Sequence, residues 1–186
     1  MNITVYSGAN RGNQPVFEQS AIELGKWIAE NNNRLVYGGG KAGLMGALAD
    51  TVLHSGGEAI GVIPTFLKDR ELAHTELTKL YVVNSMSERK NKMAELAEAF
   101  IALPGGPGTL EEITEMVSWA RIGQNPNPCI FYNVNDYYHA IENFYDNMVA
   151  NDFLTKEDRS KILFSSSFAE INAFIENYTP PLARQY

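Results

Sequence analysis

Short apolar segments that are typical of β-strands alternate with helical segments along the chain, and this alternation constrains the fold most. Most predicted strands lack polar alternation, as expected when both faces of a sheet are covered, and they span residues 3–7, 34–37, 58–63, 79–84, 100–103 and 128–132. Helices are predicted at residues 15–31, 43–55, 85–98, 109–121, 136–150 and 167–177. This order predicts an α/β fold with a doubly wound, mainly parallel sheet and helices on both faces.

The length and charge of the chain limit its organisation and its partners. A chain of 186 residues has the usual size of one domain, so we expect a single domain over residues 1–180 and a tail at residues 181–186. Its 15 Lys and Arg against 22 Asp and Glu give a net charge of −7, which argues against a nucleic-acid binder. A small anionic ligand held by a local positive cluster is compatible with this balance.

The cysteine and histidine content argues against disulfides and metal sites. Cys129 is the single cysteine, and the three histidines have no acidic or cysteine partner at ligand spacing. The first residues, MNITVYSGAN, are typical of a strand and not of a secretory leader. No apolar segment approaches the ~20 residues that span a bilayer. We therefore expect a cytoplasmic protein with no metal and no membrane partner.

The segments that follow the predicted strands carry most of the glycine and charge. In a doubly wound sheet, ligands bind beyond the carboxyl ends of the strands, where the strand order reverses. SGANRG follows the first strand, GGGKAGLMG the second, SMSERK the fourth and PGGPGT the fifth. We expect the chemistry of the protein at these four junctions.

The segment PGGPGTLEE, residues 104–112, predicts a phosphate site. Main-chain N–H groups of a glycine-rich turn at a helix N-terminus suit an anion. Because Pro107 has no N–H, the donors must be Gly105, Gly106, Gly108 and Thr109, with the Thr109 hydroxyl as an additional donor. The alternative is an ordinary glycine-rich turn whose acidic residues are favoured by the helix dipole.

The segment SMSERK, residues 85–90, combines a helix start with positive charge. Ser85 and Glu88 form an S-x-x-E capping box, which explains both residues structurally. Arg89 and Lys90 place positive charge at the helix end where it costs roughly 0.3–1 kcal/mol per residue if exposed. A bound anion would reverse the sign of that cost. The alternative is a solvated basic turn.

Two further features leave more than one interpretation open. GGGKAG, residues 38–43, fits the dinucleotide pattern G-x-G-x-x-G, but it follows the second strand, and Glu58 opens the next strand when the ribose-binding acid should close it. A tight turn that needs glycine for close packing explains it equally well. The aromatic residues from Phe131 to Phe144 could line an apolar pocket or a subunit interface.

Three motifs together, YGGG with GLMG, M-x-x-R-K and PGGxGTxxE, resemble the LONELY GUY family of cytokinin-activating proteins, often mislabelled lysine decarboxylase. The resemblance covers nearly the whole chain. It implies a Rossmann-like, nucleotide-binding homodimer with its active site near the interface and no cofactor. It also implies hydrolysis of the N-glycosidic bond of AMP or N6-prenylated AMP, which releases free base and ribose 5-phosphate. The alternative is a non-catalytic carrier of the same fold, like the molybdenum-cofactor carriers.

The resemblance also assigns residues. Helical spacing alone does not choose between Glu111 and Glu112, whereas the family motif chooses Glu112. The implied catalytic residues are Arg89 and Glu112, and the implied substrate-binding residues are Gly8, Met86, Lys90, Gly105, Gly106, Gly108 and Thr109. Two positions depart from the family pattern: Pro107 replaces a larger hydrophobic residue, and YSGAN replaces the more usual YCGSS.

Overall fold

One parallel sheet forms the centre of the protein, as a computed structural model that describes residues 1–70 and 72–183 shows. Its seven strands follow the order β4-β3-β2-β1-β5-β6-β7. Neighbouring strands pair in parallel throughout this order. The strands are β1 (Asn2–Tyr6), β2 (Arg34–Tyr37), β3 (Glu58–Pro64), β4 (Lys79–Val83), β5 (Ala99–Ala102), β6 (Cys129–Tyr132) and β7 (Ile162–Ser165).

Helices cover both faces of this sheet and bury two apolar clusters against it. One cluster includes Leu24 and Leu48 on one face, and the other includes Met93 and Ile113 on the opposite face. The helices are α1 (Pro15–Glu30), α2 (Gly43–His54), α3 (Thr65–Lys68), α4 (Met86–Leu96), α5 (Pro107–Arg121), α6 (His139–Ala150), α7 (Lys156–Ser160) and α8 (Phe168–Glu176), with a 3-10 turn at Val134–Asp136. The predicted α/β fold with a doubly wound parallel sheet is confirmed.

The strand order reverses between β1 and β5, and this reversal positions the site. The chain leaves β1 towards β2 on one side, whereas β5 lies on the other side of β1. The two segments that follow these strands therefore meet at one edge of the sheet. The N–H of Gly8, after β1, donates to the carbonyl of Pro104, after β5, at 3.1 Å.

Four elements differ from the sequence expectation. The edge strand β7 and the short helices α3 and α7 were not predicted, and α5 begins at Pro107 instead of residue 109. Proline is favoured in the first turn of a helix because its missing N–H has no helical partner there. In the predicted tail, Pro181 is buried while Leu182 and Ala183 are exposed; residues 184–186 lie outside the described part. Among the described helices, none has the length and apolarity needed to cross a membrane.

Candidate active site

A cavity of about 630 Å³ opens at the carboxyl ends of β1 and β5. Its volume lies within the roughly 300–1,000 Å³ of small-molecule sites. The cavity is lined by residues of all four predicted junctions, together with Phe17 of α1, Leu67 of α3 and Tyr137 from the segment before α6. The residues of these junctions that face it include Ser7, Gly8, Met86, Arg89, Gly105, Gly106, Gly108, Thr109, Glu111 and Glu112.

The glycine-rich turn before α5 presents an open backbone surface to this cavity. A Cβ atom added to Gly106 or Gly108 would meet nothing within 4 Å, so neither glycine is required by contacts within the chain. Gly105 differs, because an added Cβ would overlap the side chain of Thr109, which is buried. Pro107 occupies the first turn of α5, where helical N–H groups lack carbonyl partners within the helix. The turn therefore offers free donors beside open space.

Arg89 and Glu112 form a buried ion pair at the cavity wall. Nη1 of Arg89 lies 3.1 Å from Oε1 of Glu112, and their side chains are only 11% and 10% exposed. Arg89 also donates through Nε to the carbonyl of Val62 at 3.2 Å, which fixes its guanidinium. The predicted positive charge at the start of α4 thus faces a carboxylate at the start of α5.

Burial and the ion pair act in opposite directions on Glu112. Removal from water raises the pKa of the Glu112 carboxyl above its ordinary value, and the Arg89 guanidinium lowers it. Burial is the larger influence, so the net pKa is raised. A carboxylate with a raised pKa is a stronger base than an exposed glutamate.

Two glycines of the GGGKAG segment allow close packing at the cavity. An added Cβ on Gly38 would overlap Nη2 of Arg89, and one on Gly43 would overlap the backbone of Ala9. Glu58, the first residue of β3, lies 3.9 Å from Arg34 at the opposite end of the strands. The segment therefore has a packing role, and Glu58 is not placed to bind a ribose at the cavity.

Lys90 is oriented differently from Arg89 although the two are adjacent. Its Nζ lies 2.5 Å from Oε1 of Glu111 and 3.1 Å from Oε2 of Glu115. Among the described residues that line the cavity, Lys90 is absent. Its positive charge at the helix N-terminus is thus offset by two carboxylates of α5, and an anion is not needed to explain it.

Gly8, Met86 and Ser7 also line the cavity. Gly8 uses its N–H on Pro104 and its carbonyl on the N–H of Leu44, at 3.1 Å each. Met86 begins α4 and is 40% exposed. Ser7, which replaces the usual cysteine, has a buried Oγ with no hydrogen-bond partner among the described residues. Within the same residues, no group of three His, Cys, Asp or Glu could hold a metal ion.

Comparison with known proteins shows the family of the chain. The sequence matches the model of a family described as "possible lysine decarboxylase" over residues 45–174. It is 44% identical over 163 residues to a cytokinin riboside 5′-monophosphate phosphoribohydrolase of Rhodococcoides fascians, covering 87% of this chain and 82% of that protein. The chain belongs to the LONELY GUY family. A second member, cytokinin riboside 5′-monophosphate phosphoribohydrolase LOG7 of Arabidopsis thaliana, is 39% identical over 178 residues, covering 96% of this chain and 82% of that protein.

Solved structures share the fold at lower identity. The molybdenum cofactor carrier protein of Chlamydomonas reinhardtii has a TM-score of 0.70 at 19% identity, covering 95% of this chain and 98% of that one. A molybdenum cofactor binding protein of Rippkaea orientalis has a TM-score of 0.65 at 20% identity, covering 94% of each chain. These similarities show that the LONELY GUY chain shares a fold with the carriers.

The LONELY GUY motifs do not point to all residues at the cavity. Tyr137 faces the cavity from the segment before α6, outside all three motifs, and the motif residue Gly38 leaves space for Arg89, a role that the motif does not reveal. From the sequence, the aromatic residues from Phe131 to Phe144 are compatible with either an apolar pocket or a subunit interface. Tyr137, one of these residues, lines the cavity. Tertiary contacts of this kind have no local sequence signal, because the partners are far apart along the chain.

Proposed function

We propose that this protein hydrolyses the N-glycosidic bond of adenosine 5′-monophosphate or its N6-modified derivatives, releasing free base and ribose 5-phosphate. The observation that carries the proposal is the buried Arg89–Glu112 pair, which faces the same cavity as the open glycine-rich turn. The names of the relatives, cytokinin riboside 5′-monophosphate phosphoribohydrolases, support the same reaction.

The glycine-rich turn is the proposed phosphate site. Main-chain N–H groups of Gly105, Gly106, Gly108 and Thr109 would surround the 5′-phosphate, and the helix dipole of α5 would favour its negative charge. The open space at Gly106 and Gly108 supports this role. We further propose that Met86 and the backbone of Gly8 contact the nucleoside. A phosphate held here places the ribose beside Glu112, one helical turn further on.

Glu112 and Arg89 are the proposed catalytic residues. Cleavage of a ribosyl–base bond passes through an oxocarbenium-like state, which a nearby carboxylate stabilises. The C1′–N bond breaks, the oxygen of a water forms a new bond to C1′, and one proton of that water passes to the departing base. Glu112 is suited to accept this proton from the water because burial makes it more basic. Arg89 orients its carboxylate.

Lys90 takes a different part in this proposal from the one that its motif implies. Its ammonium is engaged by Glu111 and Glu115, so we propose that it holds α4 against α5 and acts on the substrate only through Arg89 and Glu112. This contact joins α4 and α5, the two helices that supply the proposed catalytic pair.

The residues at the cavity do not suit amino-acid decarboxylation. That chemistry would need a Schiff-base lysine and an acidic partner for a pyridinium nitrogen. The described lining residues of the cavity include no lysine, and the nearby Lys90 is paired with two carboxylates. The family description is therefore a poor guide to the reaction of this chain.

The oligomeric state and the cellular location are also proposals. We propose a homodimer whose interface lies near the cavity, because Phe66, Val82 and Met86 are large, exposed apolar residues on α3, β4 and α4. A cytoplasmic location agrees with a single buried cysteine, which a reducing compartment would keep as a thiol.

Adenine release from AMP and from N6-prenyl-AMP tests the proposed reaction. We expect Glu112→Gln and Arg89→Ala to lower the release of base at least about 100-fold, because each removes part of the catalytic pair. Glu111→Gln is the matched control, since this neighbouring carboxylate is exposed and bonded to Lys90; it should retain most of the activity. Chromatography measures the free base, and circular dichroism checks that each variant is folded.

The outcomes separate an enzyme from a carrier. Wild-type protein that binds AMP without releasing adenine would favour the carrier alternative, and GMP and CMP would show how far the base is recognised. Activity close to wild type in Glu112→Gln would remove that residue from the mechanism.

A further inference from the structure

We propose that Tyr137 is a positioning residue that fixes the orientation of the Gly105–Gly106 peptide and thereby prepares the phosphate-binding turn. This inference rests on the proposed function, because it concerns the same turn. Its basis is a contact that none of the sequence motifs contains: the hydroxyl of Tyr137 donates a hydrogen bond of 2.5 Å to the carbonyl oxygen of Gly105.

The contact determines where the next N–H points. In a planar trans peptide, the carbonyl oxygen and the N–H of the following residue point in opposite directions. Binding the Gly105 carbonyl to Tyr137 therefore directs the Gly106 N–H away from the tyrosine hydroxyl. Glycines on both sides of this peptide have wide conformational freedom, so the free turn could rotate the peptide and present the carbonyl, which repels an anion, where the N–H is needed.

The other side of the turn is already fixed. The carbonyl of Pro104 accepts the N–H of Gly8 at 3.1 Å, and the carbonyl of Leu103 accepts the hydroxyl of Tyr138 at 2.6 Å. Tyr137 thus completes a series of contacts that hold the carbonyls at 103, 104 and 105. Of these three carbonyls, that of Gly105 accepts its hydrogen bond from a side chain that lines the cavity.

A strained backbone holds Tyr137 over the turn. The two preceding residues, Asn135 and Asp136, both have φ of 54°, in the left-handed region, which Asn and Asp adopt more readily than other non-glycine residues but still at a cost relative to glycine. Such conformations persist only where the surroundings impose them, and they concentrate at functional sites. Here the side chain of Asn133 accepts the N–H of Tyr138 at 2.7 Å, and Asn135 donates to Gln14 at 3.2 Å.

The environment of Tyr137 differs from that of a tyrosine that only stabilises the core. Tyr137 is 42% exposed, whereas its neighbour Tyr138 is 3% exposed. The ring of Tyr137 contacts Phe17 edge to face, with centroids 5.6 Å apart, and Phe17 also lines the cavity. The hydroxyl can therefore be removed with little change in buried surface.

The test is Tyr137→Phe, which keeps the ring and removes the hydroxyl. Losing one positioning hydrogen bond should raise KM for AMP about fivefold to tenfold while kcat changes less than about twofold, because Arg89 and Glu112 are untouched. The dissociation constant for ribose 5-phosphate, measured by calorimetry, should rise by the same factor. Tyr178→Phe is the matched control, since it removes the hydroxyl of a tyrosine that contacts Phe174 of α8 and does not line the cavity; its KM should stay at the wild-type value.

The experiments distinguish a failure of the role proposed for Tyr137 from a failure of the proposed reaction. Equal affinity of wild type and Tyr137→Phe for ribose 5-phosphate would overturn it, as would a variant that loses kcat and keeps KM. Absence of adenine release in the wild type would overturn the proposed function alone, since the comparison of ribose 5-phosphate affinities needs no turnover. Wild-type protein that does not bind ribose 5-phosphate would overturn the inference.

Discussion

Glu111 and Glu112 are adjacent residues with the same functional group, yet their surroundings give them different properties. Glu111 is exposed and bonded to Lys90, whereas Glu112 is buried against Arg89. Neighbouring positions on a helix are rotated by ~100°, so Glu112 turns towards Arg89 in the cavity wall, whereas Glu111 lies at the exposed edge of the cavity beside Lys90. Glu112 is the member of the two that is removed from water, and burial raises the pKa of its carboxyl beside the Arg89 guanidinium.

The pH dependence of the reaction follows from this difference. Glu112 must be ionised to accept a proton, and burial places its pKa above the ordinary value of 4.5. We expect kcat, measured at saturating AMP, to fall as the pH is lowered, with a midpoint above 4.5. The Glu111→Gln variant should keep this acid limb with a lower midpoint, because the Glu111 carboxylate helps to raise the pKa of Glu112. A midpoint at or below the ordinary value, or a limb that disappears in Glu111→Gln, would contradict the assignment.

The sequence predicts the pair of basic residues but not the partners of each. Arg89 and Lys90 carry the same unfavourable charge at the start of a helix, and the resemblance assigns Arg89 to catalysis and Lys90 to substrate binding. Their partners, Glu112 for Arg89 and Glu111 for Lys90, lie more than 20 residues away on another helix. Which of the two faces the cavity is decided by the packing of α4 on α5, and no local pattern encodes that packing.

Helix α4 begins at the predicted N-cap, Ser85, and carries Arg89 of the proposed catalytic pair. The predicted N-cap is present: the hydroxyl of Ser85 accepts the N–H of Glu88 at 3.1 Å. The Glu88 carboxylate reaches back to the N–H of Asn84 at 2.8 Å, one residue before the cap. These bonds define the first turn of α4, where Arg89 begins its contacts with Val62 and Glu112.

Removing this cap should therefore affect both stability and activity. Ser85→Ala should lower the free energy of unfolding by about 1 kcal/mol and also lower kcat/KM, because fraying of the first turn displaces Arg89. Thr155→Ala removes the corresponding cap of α7, where Thr155 accepts the N–H of Asp158 at 3.0 Å, and should reduce stability alone. Chemical denaturation and adenine release measure the two effects; equal activity of both variants would contradict the coupling.

Strands were predictable where the pattern was continuously apolar. The strands β1, β2, β3, β5 and β6 are short but buried on both faces, which gives the continuous apolar pattern that the sequence shows. The strand β7 was missed because only its first and last residues are buried, and it follows the polar helix α7. An edge strand of this kind is defined by its pairing with β6 and has little signal of its own.

At the scale of the whole molecule, α4 is a long crossover that passes beneath the sheet. It leaves β4 at one edge and leads to β5 beyond β1. Its last turn is held by bonds from Thr4 to the carbonyl of Met93 at 3.1 Å and from Asn2 to that of Leu96 at 2.8 Å. The opposite end of the helix then lies where the strand order reverses, and this geometry brings Arg89 to Glu112 within one chain.

A dimer should accordingly contain two separate catalytic pairs. We expect sedimentation to give twice the monomer mass. Mixed dimers that combine one Arg89→Ala subunit with one Glu112→Gln subunit should release no adenine. Neither subunit of such a hybrid has both members of the pair, which are 3.1 Å apart within a single chain. Hybrids of wild type with Glu112→Gln are the control and should retain about half of the wild-type activity per dimer, since independent sites contribute additively. Recovery of activity in the doubly mutated hybrid would show that Arg89 of one subunit can act with Glu112 of the other, which the packing of α4 against α5 in one chain does not allow.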